Sequence, residues 1–245
     1  EGLCGRYVTA EDVGVTVPDL VEVSRQTRYV SGLPVEDGGV GGDPGPHTSY
    51  GVFLGIKAAV RNKLGKDSLA GLHLAIQGAG SVAGGVARRA AQEGARISLT
   101  DIDAARAQKL AEEVGGTVVA PDAIMTLDAD VLSPNALGGI LTAESIAALN
   151  VPIVAGGANN QLATAAEGDL IHQRGILYAP DYVNNAGGII NVASEYLKDA
   201  DTAGVKAKIE QIPGRLEAIW AESDASGRNP AAVADDMARR LIGRD

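Results

Sequence analysis

The chain has 245 residues, 45% of them hydrophobic and 3% aromatic, so its core must come from Ala, Val, Ile, Leu and Gly, and its 32 glycines exclude a helix bundle and suit an α/β protein with many tight turns. Its formal net charge of −10 would be repelled by a phosphate backbone, which excludes nucleic acid as a partner. The one cysteine, Cys4, excludes an internal disulfide and a thiolate metal cluster, and without a signal peptide or an apolar run of bilayer length the expectation is a cytoplasmic protein that spans no membrane.

The chain opens Glu1-Gly2-Leu3-Cys4-Gly5-Arg6, with no initiator Met and no leader, which reads as a processed or trimmed chain or a fragment. A short apolar segment at residues 6–10 leads into Glu11-Asp12-Val13-Gly14. Residues 31–47 read as a loop, punctuated by Gly32, Pro34, Gly38-Gly39, Gly41-Gly42 and Pro44-Gly45-Pro46. Thr48 is placed to cap a helix over residues 50–64, with Val52, Ile56, Ala59 and Val60 on one face and Gly65 at its end. From His73 the pattern changes. Residues 73–77 read as a buried strand, 78–80 as a turn, and 81–93 as a helix closed by Gly94. A strand at 96–100, a helix at 103–114 and a strand at 117–120 follow. Further strands fit at 130–132, 152–155 and 176–178, the last after a helix ending near Arg174. Residues 187–242 read as helical, with a break near Pro213-Gly214 and a loop at 223–230. Strand and helix alternate at roughly 20–30 residues per unit, which predicts a Rossmann-type α/β fold, a doubly wound and mostly parallel sheet with helices on both faces.

The sharpest local signal is Gln77-Gly78-Ala79-Gly80-Ser81-Val82-Ala83, which follows a strand, opens a helix and matches the G-x-G-x-x-A form of the dinucleotide fingerprint. Gly78 permits a turn that a Cβ would block. Gly80 lets the backbone approach a pyrophosphate, and Ala83 lets helix and strand pack closely. The helix N-terminus offers free N–H groups and a partial positive charge to phosphates, so Ala79, Ser81 and Val82 join the glycines as expected cofactor residues. Asp101 lies 21 residues past Gly80, at the end of the next strand, where a carboxylate can accept hydrogen bonds from both adenosine ribose hydroxyls; Ile102 is counted with it. A carboxylate there repels a 2′-phosphate, so NAD is expected rather than NADP. A tight turn without a ligand is the competing reading. Ser133-Pro134-Asn135-Ala136 ends a later strand and is expected to face the same cleft, at the carboxyl edge of the sheet.

Four segments carry a wider likeness: Gly5-Arg6-Tyr7-Val8-Thr9-Ala10-Glu11-Asp12-Val13-Gly14, Pro46-His47-Thr48-Ser49-Tyr50-Gly51, Gly157-Ala158-Asn159-Asn160-Gln161, and Ala179-Pro180-Asp181-Tyr182-Val183-Asn184-Asn185-Ala186-Gly187-Gly188. In this order they resemble the leucine/phenylalanine/valine dehydrogenase family, within the wider glutamate dehydrogenase-like group. The resemblance implies oxidative deamination of an L-amino acid to its 2-oxo acid and ammonia, with hydride passing from Cα to NAD. It implies that Asp12 handles protons on the amino group and the attacking water, a task suited to a carboxylate; outside the motif, Asp12 would read as a helix cap or a solvated acid. It implies that Thr48 lies near the nicotinamide carboxamide. It places Asn159 where nicotinamide ribose and substrate meet, with Gly157 and Ala158 lining the cofactor. The family often has Pro-Cys-Ala where this chain has Pro134-Asn135-Ala136, which leaves the side-chain role of Asn135 open. Ala10, Ile189 and Val192 align with the substrate side-chain pocket; small and branched apolar walls suit an aliphatic or aromatic amino acid and disfavour glutamate. Ordinary core packing is the other reading of those three residues.

The family's full chain also has an upstream domain with a glycine-rich segment and two lysines, one for the substrate carboxylate and one for water. Lys57, Lys63, Lys66, Lys109, Lys198, Lys206 and Lys208 fall outside any matching segment and read as solvated charges. The expectation is therefore a chain that binds NAD and, alone, turns over amino acids poorly or not at all. Residues 1–48 would be a remnant of the substrate lobe with its linker, 49–190 the NAD-binding domain, and 191–245 helices returning toward the other lobe. A homo-oligomer is expected by resemblance. His47 is unusual in its segment and reads either as a cofactor contact or as a solvated loop residue. The alternative from another class is a non-catalytic NAD-binding module serving assembly or sensing. A third, a Rossmann dehydrogenase acting on folates or shikimate, is opposed by residues 180–188.

Overall fold

The apolar alternation of His73-Leu74-Ala75-Ile76-Gln77 sends Leu74 and Ile76 to one face of a strand and Ala75 to the other, and all three are fully buried, as a strand covered on both sides requires. The computed structural model describes residues 2–12, 14–35 and 39–244. Val13 of the first family-like segment and Gly38 of the expected loop lie outside the described residues. Two helices, α1 (Val17–Ser24) and α2 (Gly45–Leu64), precede the first strand. Then follow β1 (His73–Gln77), α3 (Ser81–Gln92), β2 (Arg96–Thr100), α4 (Ala104–Val114), β3 (Thr117–Val118), a single 3₁₀ turn at Ile124–Thr126, and β4 (Val131–Pro134). The chain continues through α5 (Ala143–Ala148), β5 (Ile153–Val154), α6 (Ala166–Gln173), β6 (Leu177–Tyr178), α7 (Asp181–Asn184) and α8 (Gly187–Leu197). It finishes with α9 (Thr202–Ile209), α10 (Ile212–Ser226) and α11 (Pro230–Leu241).

The six strands form one parallel sheet in the order β3-β2-β1-β4-β5-β6. That order is the doubly wound one expected from the alternation, with the winding reversing between β1 and β4. Two apolar layers cover the sheet. One gathers α2, α3, α4 and α10 around Ile56, Leu74, Val86, Leu99 and Trp220; the other sets Ala75, Leu132 and Val154 against Ile124, Ile146, Ile171 and Tyr178. The Trp220 Nε1–H donates to the Tyr178 carbonyl at 2.9 Å, which ties α10 to the edge strand β6. Among the described residues no helix is long and apolar enough to cross a membrane, and no cluster of His, Cys, Asp and Glu could hold a metal.

The strands fall where the periodicity puts them, although β3, β5 and β6 are each two residues long. The helices differ in several places: α5, α7 and the 3₁₀ turn were not expected, the span expected to be helical from residue 187 is broken between Leu197 and Thr202, and three further differences have a local physical reason. α1 was not anticipated, yet its start is encoded: Pro18 lies in the first turn, and the Asp19 carboxylate accepts the Thr16 amide at 2.8 Å and its hydroxyl at 2.6 Å. α2 begins at Gly45 rather than residue 50, so Thr48 does not cap it; the Thr48 hydroxyl donates back to the Pro44 carbonyl at 3.0 Å, inside the first turn. Pro46, taken as loop punctuation, is pre-set for a helix start, where no N–H is needed. α2 also buries Phe53, Gly55 and Ala58 besides its expected face, because α3, α8 and α10 enclose it. Finally, Pro213 opens α10 instead of breaking a helix, and α10 runs to Ser226 before Asn229 caps α11 by accepting the Ala232 N–H at 2.9 Å. The expected loop at 223–230 is thereby shortened to residues 227–229.

Candidate active site

The site follows from the winding reversal. Gln77 and Pro134 are register partners on β1 and β4, and the Asn135 N–H donates to the Gln77 carbonyl at 2.8 Å, so the two chains leave the sheet side by side and then diverge. Gly78 takes φ +97°, and a Cβ there would meet the Asn135 carbonyl oxygen at 3.2 Å and its carbon at 3.3 Å. Only glycine suits both the dihedral and the gap. Gly80 is different: a Cβ on it would have nothing within 4 Å. That open space lies at the start of α3. The first helical bond of α3 joins the Gly84 N–H to the Gly80 carbonyl at 2.8 Å, and no side chain caps the helix among the described residues. The amides of Ser81, Val82 and Ala83 therefore precede the ladder and are available to an anion. Ala83 is fully buried, as its packing role demands.

Asp101 follows β2 directly, beside this turn. One carboxylate oxygen accepts the Ala79 N–H at 2.7 Å and the other accepts the Asp103 N–H at 2.9 Å, and the side chain keeps only 8% of its exposure. Ile102 is 98% exposed next to it. The Arg106 guanidinium stands 4.0 Å from Asp101 and 3.5 Å from Asp103.

The loops after β4 and β5 complete the rim. The Asn135 side chain, whose role was open from sequence, bridges them: its Nδ2–H donates to the Ser133 carbonyl at 2.8 Å and its Oδ1 accepts the Gly157 N–H at 2.9 Å. Ser133 and Pro134 are buried while Ala136 is exposed. The Ala158 N–H donates to the Pro134 carbonyl at 3.0 Å. A Cβ on Gly157 would meet Val82 at 2.8 Å, so this loop reaches the first turn of α3. Asn159 is exposed, and its Oδ1 accepts the Asn185 Nδ2–H at 2.5 Å. Asn184 and Asn185 lie in the fourth family-like segment. Their amides donate to the Gly156 and Gly157 carbonyls at 2.9 and 3.1 Å and hold the loop under Asn159. The sequence showed only an Asn-Asn pair just before the glycines that open α8; the burial that makes these amides seek partners came from the fold.

Beside the glycine turn, α2 and α8 meet at their starts. Any Cβ on Gly187 would overlap the His47 carbonyl, and one on Gly188 would overlap the Thr48 hydroxyl. Gly45 abuts the Ser81 side chain in the same way, which joins Thr48 to the glycine turn. Ile189 is 64% exposed on α8, which removes core packing as its explanation; Val192 and Ala10 are half-buried. Asp12 is exposed. Its neighbour Glu11 has its pKa raised by burial and by the negative charges of Asp43 and Asp12. Asp43 in turn accepts the Gly45 N–H at 2.7 Å. The His47 pKa is lowered by burial against the opposing pull of Asp43, which favours a neutral ring. Acidic groups thus line the approach from Asp12 to the start of α2.

Comparison with known proteins agrees with this geometry. A family model described as Glutamate/Leucine/Phenylalanine/Valine dehydrogenase matches residues 98–233. The chain is 43% identical over 242 residues to a leucine dehydrogenase of Geobacillus stearothermophilus, covering 99% of this chain and 65% of that protein. It is 38% identical over 247 residues to a phenylalanine dehydrogenase of Bacillus thermotolerans, covering 99% of this chain and 64% of that one. The crystal structure of L-tryptophan dehydrogenase from Nostoc punctiforme superposes with a TM-score of 0.85 at 36% identity, over 99% of this chain and 69% of that chain. The chain thus spans about two-thirds of the length of these relatives. Matching fold, motif order and family model together, the chain belongs to the glutamate/leucine/phenylalanine/valine dehydrogenase family.

Proposed function

We propose that this chain is the NAD-binding and proton-handling part of a dehydrogenase that oxidatively deaminates a hydrophobic L-amino acid, of the leucine, valine or phenylalanine type, to its 2-oxo acid and ammonia. The observation that carries the cofactor half is the Asp101 carboxylate 2.7 Å from the Ala79 amide, beside an open Gly80 and an uncapped helix start. These residues fit a dinucleotide: amides for the diphosphate, and a carboxylate for the ribose diol. NAD, when bound, accepts the hydride released from the substrate Cα. The amides of Ser81 and Val82 hold the diphosphate, with Ser133 to Ala136 and Gly157 to Ala158 closing the nicotinamide side. Thr48 and Asn159 orient the nicotinamide and the substrate without adding charge. Asp12 takes the proton from the amino group and assists the attacking water. Ala10, Ile189 and Val192 wall the side-chain pocket; the exposure of Ile189 supports this. Within this reading residues 1–48 belong to the substrate lobe and linker, 49–190 to the NAD-binding domain and 191–245 to the C-terminal helices, and the protein self-associates as a homo-oligomer.

Calorimetry of the 245-residue chain with NAD tests the cofactor half; NADH absorbance on adding L-leucine, L-valine or L-phenylalanine tests the dehydrogenase half in a protein that includes whatever precedes Glu1 in its reading frame, the 245-residue chain alone being expected to form little or no NADH. Heat of NAD association with NADH formation supports the dehydrogenase. NAD binding with no NADH from any amino acid, in a protein that includes the upstream residues of its reading frame, is the result expected of a non-catalytic binding module. Replacing Asp101 by Ser removes two charge-assisted acceptors. NAD affinity is expected to fall about 10- to 100-fold, as loss of hydrogen bonds to a charged group implies, and the NADP-to-NAD affinity ratio to rise. Unchanged coenzyme preference would remove Asp101 from the ribose site.

A further inference from the structure

Glu195 sits on α8, one turn beyond Val192 and on the helix that carries Ile189. Its carboxylate serves a distant part of the chain. Oε2 accepts the Gly32 N–H at 2.6 Å and lies 2.8 Å from the Ser31 hydroxyl, and Oε1 accepts the Leu33 N–H at 3.1 Å. Ser31 is fully buried, and its hydroxyl also lies 2.9 Å from the Val192 carbonyl. The returning leg of the same loop is held by the same helix, since the Asn191 Nδ2–H donates to the Gly41 carbonyl at 3.2 Å. The two legs close on each other through the Gly42 N–H and the Leu33 carbonyl at 2.8 Å. The first leg is also paired to the segment that carries Asp12. The Thr9 N–H donates to the Tyr29 carbonyl at 3.0 Å and the Ser31 N–H to the Thr9 carbonyl at 2.8 Å. A continuous hydrogen-bonded path therefore runs from the pocket-wall helix, through residues 31–33, to the residue adjacent to Ala10.

We infer that Glu195 is a positioning residue, a latch that sets the distance between the Asp12 segment and the Ile189/Val192 wall of the substrate pocket. This rests on the proposed role of Asp12. The residue type matters chemically. An ionised carboxylate accepts three donors on two oxygens, whereas glutamine offers one acceptor oxygen and turns an NH₂ toward backbone N–H groups. Bonds to an ionised acceptor are also the stronger kind, suited to holding two segments at fixed separation. Among the described residues none of the hydrogen bonds of Glu195 reaches the glycine turn, so cofactor affinity is separable from the latch.

The test compares the protein, with whatever precedes Glu1 in its reading frame included, with its Glu195→Gln and Ser31→Ala variants. Three readouts are amide exchange, calorimetric NAD affinity, and binding of 4-methyl-2-oxopentanoate to the NADH-loaded protein. In Glu195→Gln, exchange at residues 9–10 and 31–33 is expected to rise about tenfold, NAD affinity to stay within about twofold, and 2-oxo acid affinity to fall about tenfold. Ser31→Ala, which keeps both amide bonds to the carboxylate, is expected to show the same pattern more weakly. Unchanged exchange at those amides overturns the latch. Raised exchange with unchanged 2-oxo acid affinity overturns the positioning role. A parent chain that binds no NAD or no 2-oxo acid overturns the proposed function instead, and the exchange result then still decides whether Glu195 holds the two segments together.

Discussion

Replacing Gly80 by Ala is expected to leave the fold intact while NAD affinity falls on the order of 10- to 100-fold, about 1.4–2.8 kcal/mol. The backbone at Gly80 has φ −76° and ψ −167°, which any L-residue adopts, and the added methyl meets no protein atom within 4 Å. Folded stability should therefore change by less than about 1 kcal/mol, the helix-cap and unfolded-chain effects being small and opposed. On the proposed reading the methyl would meet the ligand, since the dinucleotide fingerprint has backbone and pyrophosphate approach at this glycine. Gly78→Val makes the contrasting case. Its φ of +97° and the 3.2 Å gap to the Asn135 carbonyl penalise the protein itself, by about 1–3 kcal/mol for the dihedral alone. Thermal melts alongside NAD calorimetry separate the two: Gly80→Ala should melt with the parent and lose NAD, and Gly78→Val should lose both. NAD binding by Gly80→Ala at parental affinity would mean that the open space serves no diphosphate.

The largest loss of stability is expected at Trp220. The side chain is 1% exposed, packs in the layer that includes Ile56 and Leu216, and donates to the Tyr178 carbonyl at 2.9 Å. Trp220→Ala should cost about 3–5 kcal/mol, roughly 6–20 °C in Tm for a domain of this size. Part of that is the cavity and part the orphaned carbonyl of β6. Trp220→Phe keeps most of the apolar volume and loses the donor, so about 1–3 kcal/mol is expected. Equal melting temperatures for the Phe variant and the parent would show that the bond from α10 to β6 contributes nothing.

The strands and the glycine turn were legible because each rests on local chemistry. Two-residue alternation and β-branched content mark β1, β2 and β4, and the spacing of Gly78, Gly80 and Ala83 reports a turn and a tight pack within six residues. Asp101 was legible for the same reason, being placed by the end of a strand. The start of α2 was misread because Pro44-Gly45-Pro46 signals a loop and a helix start equally well. Only the contact of Gly45 with Ser81 and of Gly187 with His47 settles which. α1 was missed although Thr16, Pro18 and Asp19 encode its start, since eight residues with one buried side chain leave almost no apolar period to detect.

The region around α2 and α8 was least legible. Asn184, Asn185 and Glu195 act on backbone groups 28 and about 160 residues away, and no spacing rule reaches that far. The same holds for Asn135, whose side chain could be seen from sequence to depart from a pattern but not to join two loops. From the amino-acid order alone came the parallel sheet, the glycine turn between β1 and α3 and the carboxylate of Asp101 beside it, because hydrophobic period and glycine dihedrals act over a few residues. The meeting of α2 with α8, the loop bridge of Asn135 and the hold of Glu195 on residues 31–33 came from the folded chain, because hydrogen bonds between segments far apart in sequence exist only once packing has brought them within about 3 Å.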